Sequence, residues 1–177
     1  MSNRKKQSEI LDDFKKNEEG KYEYVGKLHT YTSLIPRKRA YRNLGFLTVL
    51  ILGCAIFAGC VHADGATHEL TIVFPYIIVL LLSGLLTYRY IELLLGKDPL
   101  RDYIYESTVT KFPMYLWGIV ICSIITVIAE AIYILRFGIQ HYFNGTIIFI
   151  GCMVLSGMFA YVWLLYLKRL SWEETKQ

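Results

Sequence analysis

The chain has 177 residues, 54% of them hydrophobic, and a mean hydropathy of +0.37. A soluble domain this short would have no outer layer left to cover so much apolar matter. The net charge of +4 does not point to nucleic acid, because Glu9, Asp12, Asp13, Glu18, Glu19 and Glu23 interleave with the N-terminal lysines and break any phosphate-binding stripe.

Residues 1–35 read as a basic, polar cytoplasmic tail. A short helix around Ile10, Leu11 and Phe14 competes there with disorder. Residues 21–34 are rich in tyrosine and threonine around Gly26, which suits a strand pair or an extended segment on the membrane face. A bundle is expected over 36–170, opened by Ser33 and Pro36, since proline fits a first helical turn. Arg37, Lys38, Arg39 and Arg42 then line the start of the first helix, their stems able to snorkel to lipid headgroups.

Four apolar blocks follow: 44–61, 70–95, 112–135 and 145–167. The hydrocarbon core is about 30 Å thick and a helix rises about 1.5 Å per residue, so each block, the first with help from its flank, can span. A short loop, 62–69, joins the first two. Pro75 lies near the start of the second. Asp98-Pro99 stops that helix, and Thr110 with Pro113 restarts the chain as the third. The loop 136–144 leads to the fourth, and 171–177 forms a second polar tail.

Eleven of the nineteen Lys and Arg residues precede Asn43. Lys97, Arg101 and Lys111 fall in the middle loop, and Lys168, Arg169 and Lys176 follow the fourth block, whereas the other two connections share only Arg136. Positive residues stay inside. The expected fold is therefore an all-α integral membrane protein, with four transmembrane helices as two antiparallel hairpins and both termini in the cytoplasm. The Tyr-rich leads into the halves, Tyr22-Glu23-Tyr24 and Tyr103-Ile104-Tyr105-Glu106, suggest a duplicated hairpin.

Polar residues inside the blocks mark the faces turned away from lipid. Gly118, Cys122, Thr126 and Glu130 recur every four residues. A carboxylate at that depth is costly, so Glu130, with Thr126 and Cys122, is the intramembrane polar candidate. It suits a proton- or cation-carrying role, a structural hydrogen bond to a neighbouring helix, or snorkelling to the outer surface. Cys152, Ser156 and Ala160 on the fourth helix, and Ala55 and Gly59 on the first, are expected helix-packing residues along with Gly118. The third and fourth helices are the best pair for close contact. Arg89 and Glu92, three apart and flanked by Tyr88 and Tyr90, read as an interfacial anchor.

Chemistry-bearing motifs are scarce. Cys54, Cys60, Cys122 and Cys152 all lie in the apolar blocks without metal-ligand or CxxC spacing. The Leu-Gly-Cys and Ala-Gly-Cys runs come too late for a signal peptide. His62, Asp64, His68 and Glu69 share the outer side with His141, but no zinc signature joins them, and no metal or cofactor is expected. Asn144-Gly145-Thr146 is a glycosylation sequon set against the membrane. No catalytic constellation is evident.

Tyr22-Glu23-Tyr24-Val25-Gly26-Lys27 ahead of a basic helix start, then two hydrophobic hairpins with a Tyr-rich middle loop, resembles uncharacterised small four-helix multi-pass membrane proteins of bacteria. That resemblance implies a plasma (inner) membrane location and no named activity. The leading functional reading is a non-enzymatic accessory or regulatory subunit of a membrane complex, with the bilayer and a membrane protein or a second copy as partners and no nucleic acid. One alternative is a small oligomeric transporter or channel using Glu130. The other is a membrane-embedded lipid-modifying enzyme with Asp98, Asp102, Glu106 and His29 at the inner face.

Overall fold

A computed structural model describes residues 14–16, 22–24, 26–96, 99–138 and 142–175. In chain order the elements are β1 (Phe14–Lys16), β2 (Tyr22–Tyr24), β3 (Leu28–Tyr31), α1 (Arg37–Gly59), α2 (Asp64–His68), α3 (Leu70–Leu95), β4 (Leu100–Arg101), α4 (Asp102–Ser107), α5 (Phe112–Phe137), α6 (Phe143–Leu167) and β5 (Trp172–Thr175). Among the described residues, four helices are long and apolar enough to cross a membrane: α1, α3, α5 and α6. The shortest has 23 residues, about 35 Å of helix.

Local chemistry explains the helix ends. The Pro36 carbonyl accepts the N–H groups of Arg39 at 2.9 Å and Ala40 at 3.0 Å, opening α1 where proline needs no donor of its own. Pro113 sits in the first turn of α5. That helix closes at Gly138, whose φ of 71° is left-handed and whose N–H reaches the Ile134 carbonyl at 2.8 Å.

Each long helix buries one seam with steps of three and four residues. On α5 it runs Phe112, Leu116, Ile119, Ser123, Thr126, Glu130; on α6 it runs Thr146, Phe149, Met153, Ser156, Ala160, Trp163. This 3.5-residue average is the spacing that keeps one stripe facing its neighbours in a bundle. α1 packs against α3 and α6, and α5 packs against α3 and α6, closing a ring of four. The α5–α6 contact is extensive, as expected from their small residues, but α3–α5 and α1–α6 match it.

Polar groups reach across the ring to backbone carbonyls. Trp163 Nε1–H on α6 donates to the Leu44 carbonyl at 3.0 Å and Thr48 Oγ1 at 3.1 Å on α1. The Tyr90 and Tyr76 hydroxyls on α3 donate to the Tyr41 and Ala55 carbonyls at 2.7 and 3.1 Å. Gly45 and Gly59 admit these two tyrosines, since a Cβ at either position would run into the hydroxyl.

The fold is mostly helical rather than all-α. β1 and β2 pair antiparallel, and β3 is the central strand of a separate sheet of order β4-β3-β5. Tyr31 faces Trp172 and His29 faces both Leu100 and Glu174. The strand pair expected within 21–34 is thus two strands with different partners. Phe14 is in a strand, while the helix expected around Ile10 and Leu11 lies outside the described residues. The sheet ties together the segments before α1, between α3 and α5, and after α6, so all three sit at one end of the bundle. Leu28–Tyr31 of the first tail and Trp172–Thr175 of the second are therefore paired with each other.

The opposite end is closed by α2, which contacts α3, α5 and α6. The 62–69 stretch is not a solvated loop: Ala63, Asp64 and Gly65 are buried.

Candidate functional site

Glu130 is the last residue of the α5 seam, about two turns before the helix ends at Phe137, and is 0% exposed. The first N–H groups of any helix lack intrahelical acceptors. In α2 the residue before the helix is Ala63, which has no side chain able to cap it. The bundle supplies the missing acceptors. Gly65 N–H donates to Glu130 Oε1 at 3.1 Å, and Asp64 N–H donates to Thr146 Oγ1 at 3.1 Å. Two side chains from α5 and α6 thus cap a helix that belongs to neither.

The Asp64 side chain continues the arrangement, with Oδ2 accepting the Tyr142 N–H at 3.2 Å just before α6. Thr67 Oγ1–H closes the turn on the carbonyls of Ala63 and Asp64 at 3.0 and 2.9 Å. Two glycines make the approach feasible. A Cβ on Gly65 would collide with Glu130 Oε2 and the Ile72 methyl, and one on Gly145 would strike the His62 carbonyl. Glu130 Oε2 itself has no hydrogen-bond partner among the described residues, and the same holds for the buried hydroxyls of Ser123 and Ser156. Thr126 instead donates to the Cys122 carbonyl one turn back.

Of the polar candidates, Glu130 and Thr126 are fully buried and Cys122 is partly so. Among the packing residues, Ala55, Cys152, Ser156 and Ala160 lie in buried seams. Gly59 meets Tyr76, and Gly118 meets Leu82 on α3. Arg89 Nη1 pairs with Glu92 Oε2 at 2.6 Å, and Ser107 Oγ donates to Glu92 Oε1 at 3.2 Å, tying α3 to α4.

Among the described residues, the weak metal candidates do not gather. Asp64 is buried at the start of α2, His62 and His68 are exposed, and His141 lies outside the described residues. Among the described residues no three His, Cys, Asp or Glu side chains converge on one point. Gly65 and Thr146 carry the cap and were not singled out for it from the sequence. Thr146 was visible only as the last residue of a sequon, and its hydroxyl turns inward.

At the sheet end, His29 Nε2 lies 2.7 Å from Asp102 Oδ1 and its ring stacks on Tyr105 with centroids 4.0 Å apart. Trp172 lies edge-on to Tyr105 and Tyr31. Two members of the proposed lipid-modifying set therefore meet. Glu106 is exposed, and Asp98 lies outside the described residues.

Among the described residues, apolar grooves run along the outer flanks of the bundle. One, of about 330 Å³, separates α5 from α6 over a floor that includes Ser123 and Gly157. Another lies between α3 and α5 beside Pro75. No protein family, curated protein or solved structure matches this chain.

Proposed function

We propose that this chain is a non-enzymatic accessory or regulatory subunit that works through another membrane protein in a bacterial plasma membrane. Its long helices form two antiparallel hairpins. The sheet end faces the cytoplasm, with both termini, and α2 faces outside. The clustering of Lys and Arg on the segments joined by β3, β4 and β5 supports that orientation.

The observation that carries the partner reading is the contrast between the two polar features of α5. Glu130 is enclosed within a single chain and caps α2, whereas Ser123 lies on the floor of a groove that opens sideways. Small residues on such a floor let another helix approach closely in lipid, where packing and hydrogen bonding replace the hydrophobic effect. Purification of the tagged chain in mild detergent tests the reading. A stoichiometric membrane protein should co-purify, and Gly157→Leu, which fills the groove, should release it without changing helical content. A strictly monomeric chain without a stable partner would contradict the proposal.

A transporter or channel is the second reading. It is favoured by the unpartnered Glu130 Oε2 above Thr126 and Ser123 on one buried face of α5. Proteoliposomes test it: proton or cation flux should appear and fall with Glu130→Gln. Absence of flux removes this reading.

A further inference from the structure

We propose that the sheet-end termini of α1 and α6 together form a binding site for an anionic phospholipid headgroup, with a two-phosphate headgroup filling it best. The inference rests on the chain spanning a bilayer but not on the identity of any protein partner.

Lys38, Arg39 and Arg42 occupy the first turns of α1, and Lys168 and Arg169 directly follow α6. All five are exposed, and none pairs through its side chain with a carboxylate or other acceptor among the described residues. Neither helix contains an acidic residue. The nearest acids in sequence are Glu173 and Glu174 on β5; Glu174 is taken by Lys27 at 3.0 Å, and Glu173 makes no ion pair with any of the five among the described residues. Among the described residues, then, no carboxylate takes up these cations, which suits an outside anion.

Their geometry brings them together. α1 and α6 pack along their length, and Asn43 Nδ2 donates to the Tyr166 hydroxyl at 3.3 Å, which sets the two ends side by side. Arg39 is one turn before Asn43 and Arg169 three residues after Tyr166, so each helix carries one arginine to the sheet-end side of that bond. A guanidinium from each of two neighbouring helix ends suits phosphate oxygens in paired geometry. The Tyr166 O–H has no acceptor among the described residues and can add a donor. Immediately toward the bundle centre, Phe46, Val162 and Leu165 are exposed and apolar. Charge next to an apolar surface fits a phospholipid better than a free anion, which needs no apolar wall.

The full chain in detergent, examined by native mass spectrometry, provides the test. The probes are diphosphatidylglycerol, phosphatidylglycerol, phosphatidylcholine and inorganic phosphate. Diphosphatidylglycerol should be retained in preference to phosphatidylcholine, and the Arg39→Gln, Arg169→Gln double variant should lose about tenfold or more of that preference. Lys111→Gln, at another cation of the sheet end, should lose little, and Arg39→Lys, Arg169→Lys should recover part of the binding. Equal retention of phosphatidylcholine overturns the proposal, as does an equal loss in Lys111→Gln. Displacement of the lipid by millimolar phosphate reassigns the site to a soluble anion and also overturns it. Recovery of a folded chain without detergent would instead sink the bilayer reading itself.

Discussion

Glu130 combines the cost of a buried carboxylate with a defined task. Its Oε1 satisfies the Gly65 N–H that no residue of α2 can satisfy. Removing it leaves that donor stranded in a dry interior, where an unmet donor costs about 1–3 kcal/mol, and leaves a cavity as well. Glu130→Ala should therefore lower unfolding stability in detergent by about 2 kcal/mol or more. Glu130→Gln keeps an amide oxygen for the same bond and should cost less. Equal melting points for the two variants would refute the capping role. Gly65→Ala places a Cβ against Glu130 Oε2 and Ile72, and overpacking of this kind costs about 1–3 kcal/mol. An unchanged melting curve for that variant would mean that α2 does not sit this deep.

At the scale of elements, the long helices were legible because apolar blocks with few charges leave little choice of conformation in lipid. The 70–95 block coincides with α3, and the others lie largely within α1, α5 and α6. Of the four-residue stripe Gly118, Cys122, Thr126 and Glu130, the last two lie on the buried face of α5, whereas Gly118 and Cys122 are only partly buried; a strict step of four drifts off a seam that repeats about every 3.5. Short elements escaped because their partners are distant in sequence. α2 has five residues and is capped from 65 and 82 residues away. β3 pairs with strands beyond α3 and beyond α6, which no local propensity announces. The Tyr-rich leads of the two halves differ in structure, one containing strand β2 and the other helix α4, so the suggested duplication does not extend to them.

Two further outcomes belong to this scale. Trp163→Phe removes the donor that joins α6 to the Leu44 carbonyl and Thr48, and should cost about 1 kcal/mol in the same melting experiment. The Lys27–Glu174 pair joins β3 to β5, and the hydrogen bond to Glu174 raises the lysine above its ordinary value of 10.5. A raised lysine contributes while protonated, so its part in the sheet should be intact at neutral pH and lost only as the pH climbs through that raised value. Hydrogen exchange of the β3 and β5 amides across alkaline pH checks this. Both side chains are exposed, so 1 M salt should weaken the effect.

For the whole molecule, the distribution of polarity argues for lipid around the bundle. Thr48, Ser83, Ser123, Thr126, Glu130, Thr146 and Ser156 are buried, while Phe74, Leu81, Ile124, Ile128 and Met158 are exposed. Water would favour the reverse, with polar side chains outside and apolar ones in the core. In a bilayer the outer surface costs nothing, and interior hydroxyls pack and bond at close range. In the orientation proposed above, the bundle spans the membrane with its sheet end inside and α2 outside. Labelling with a membrane-impermeant maleimide tests it most directly, with Cys54, Cys122 and Cys152 replaced by alanine. Cys60 lies exposed just past α1 at the α2 end, and Ser171 lies exposed at the sheet end. Cys60 should react in intact cells, and Ser171→Cys, made in a chain without Cys60, should react only after the membrane is permeabilised. Labelling of Ser171→Cys in intact cells would contradict it.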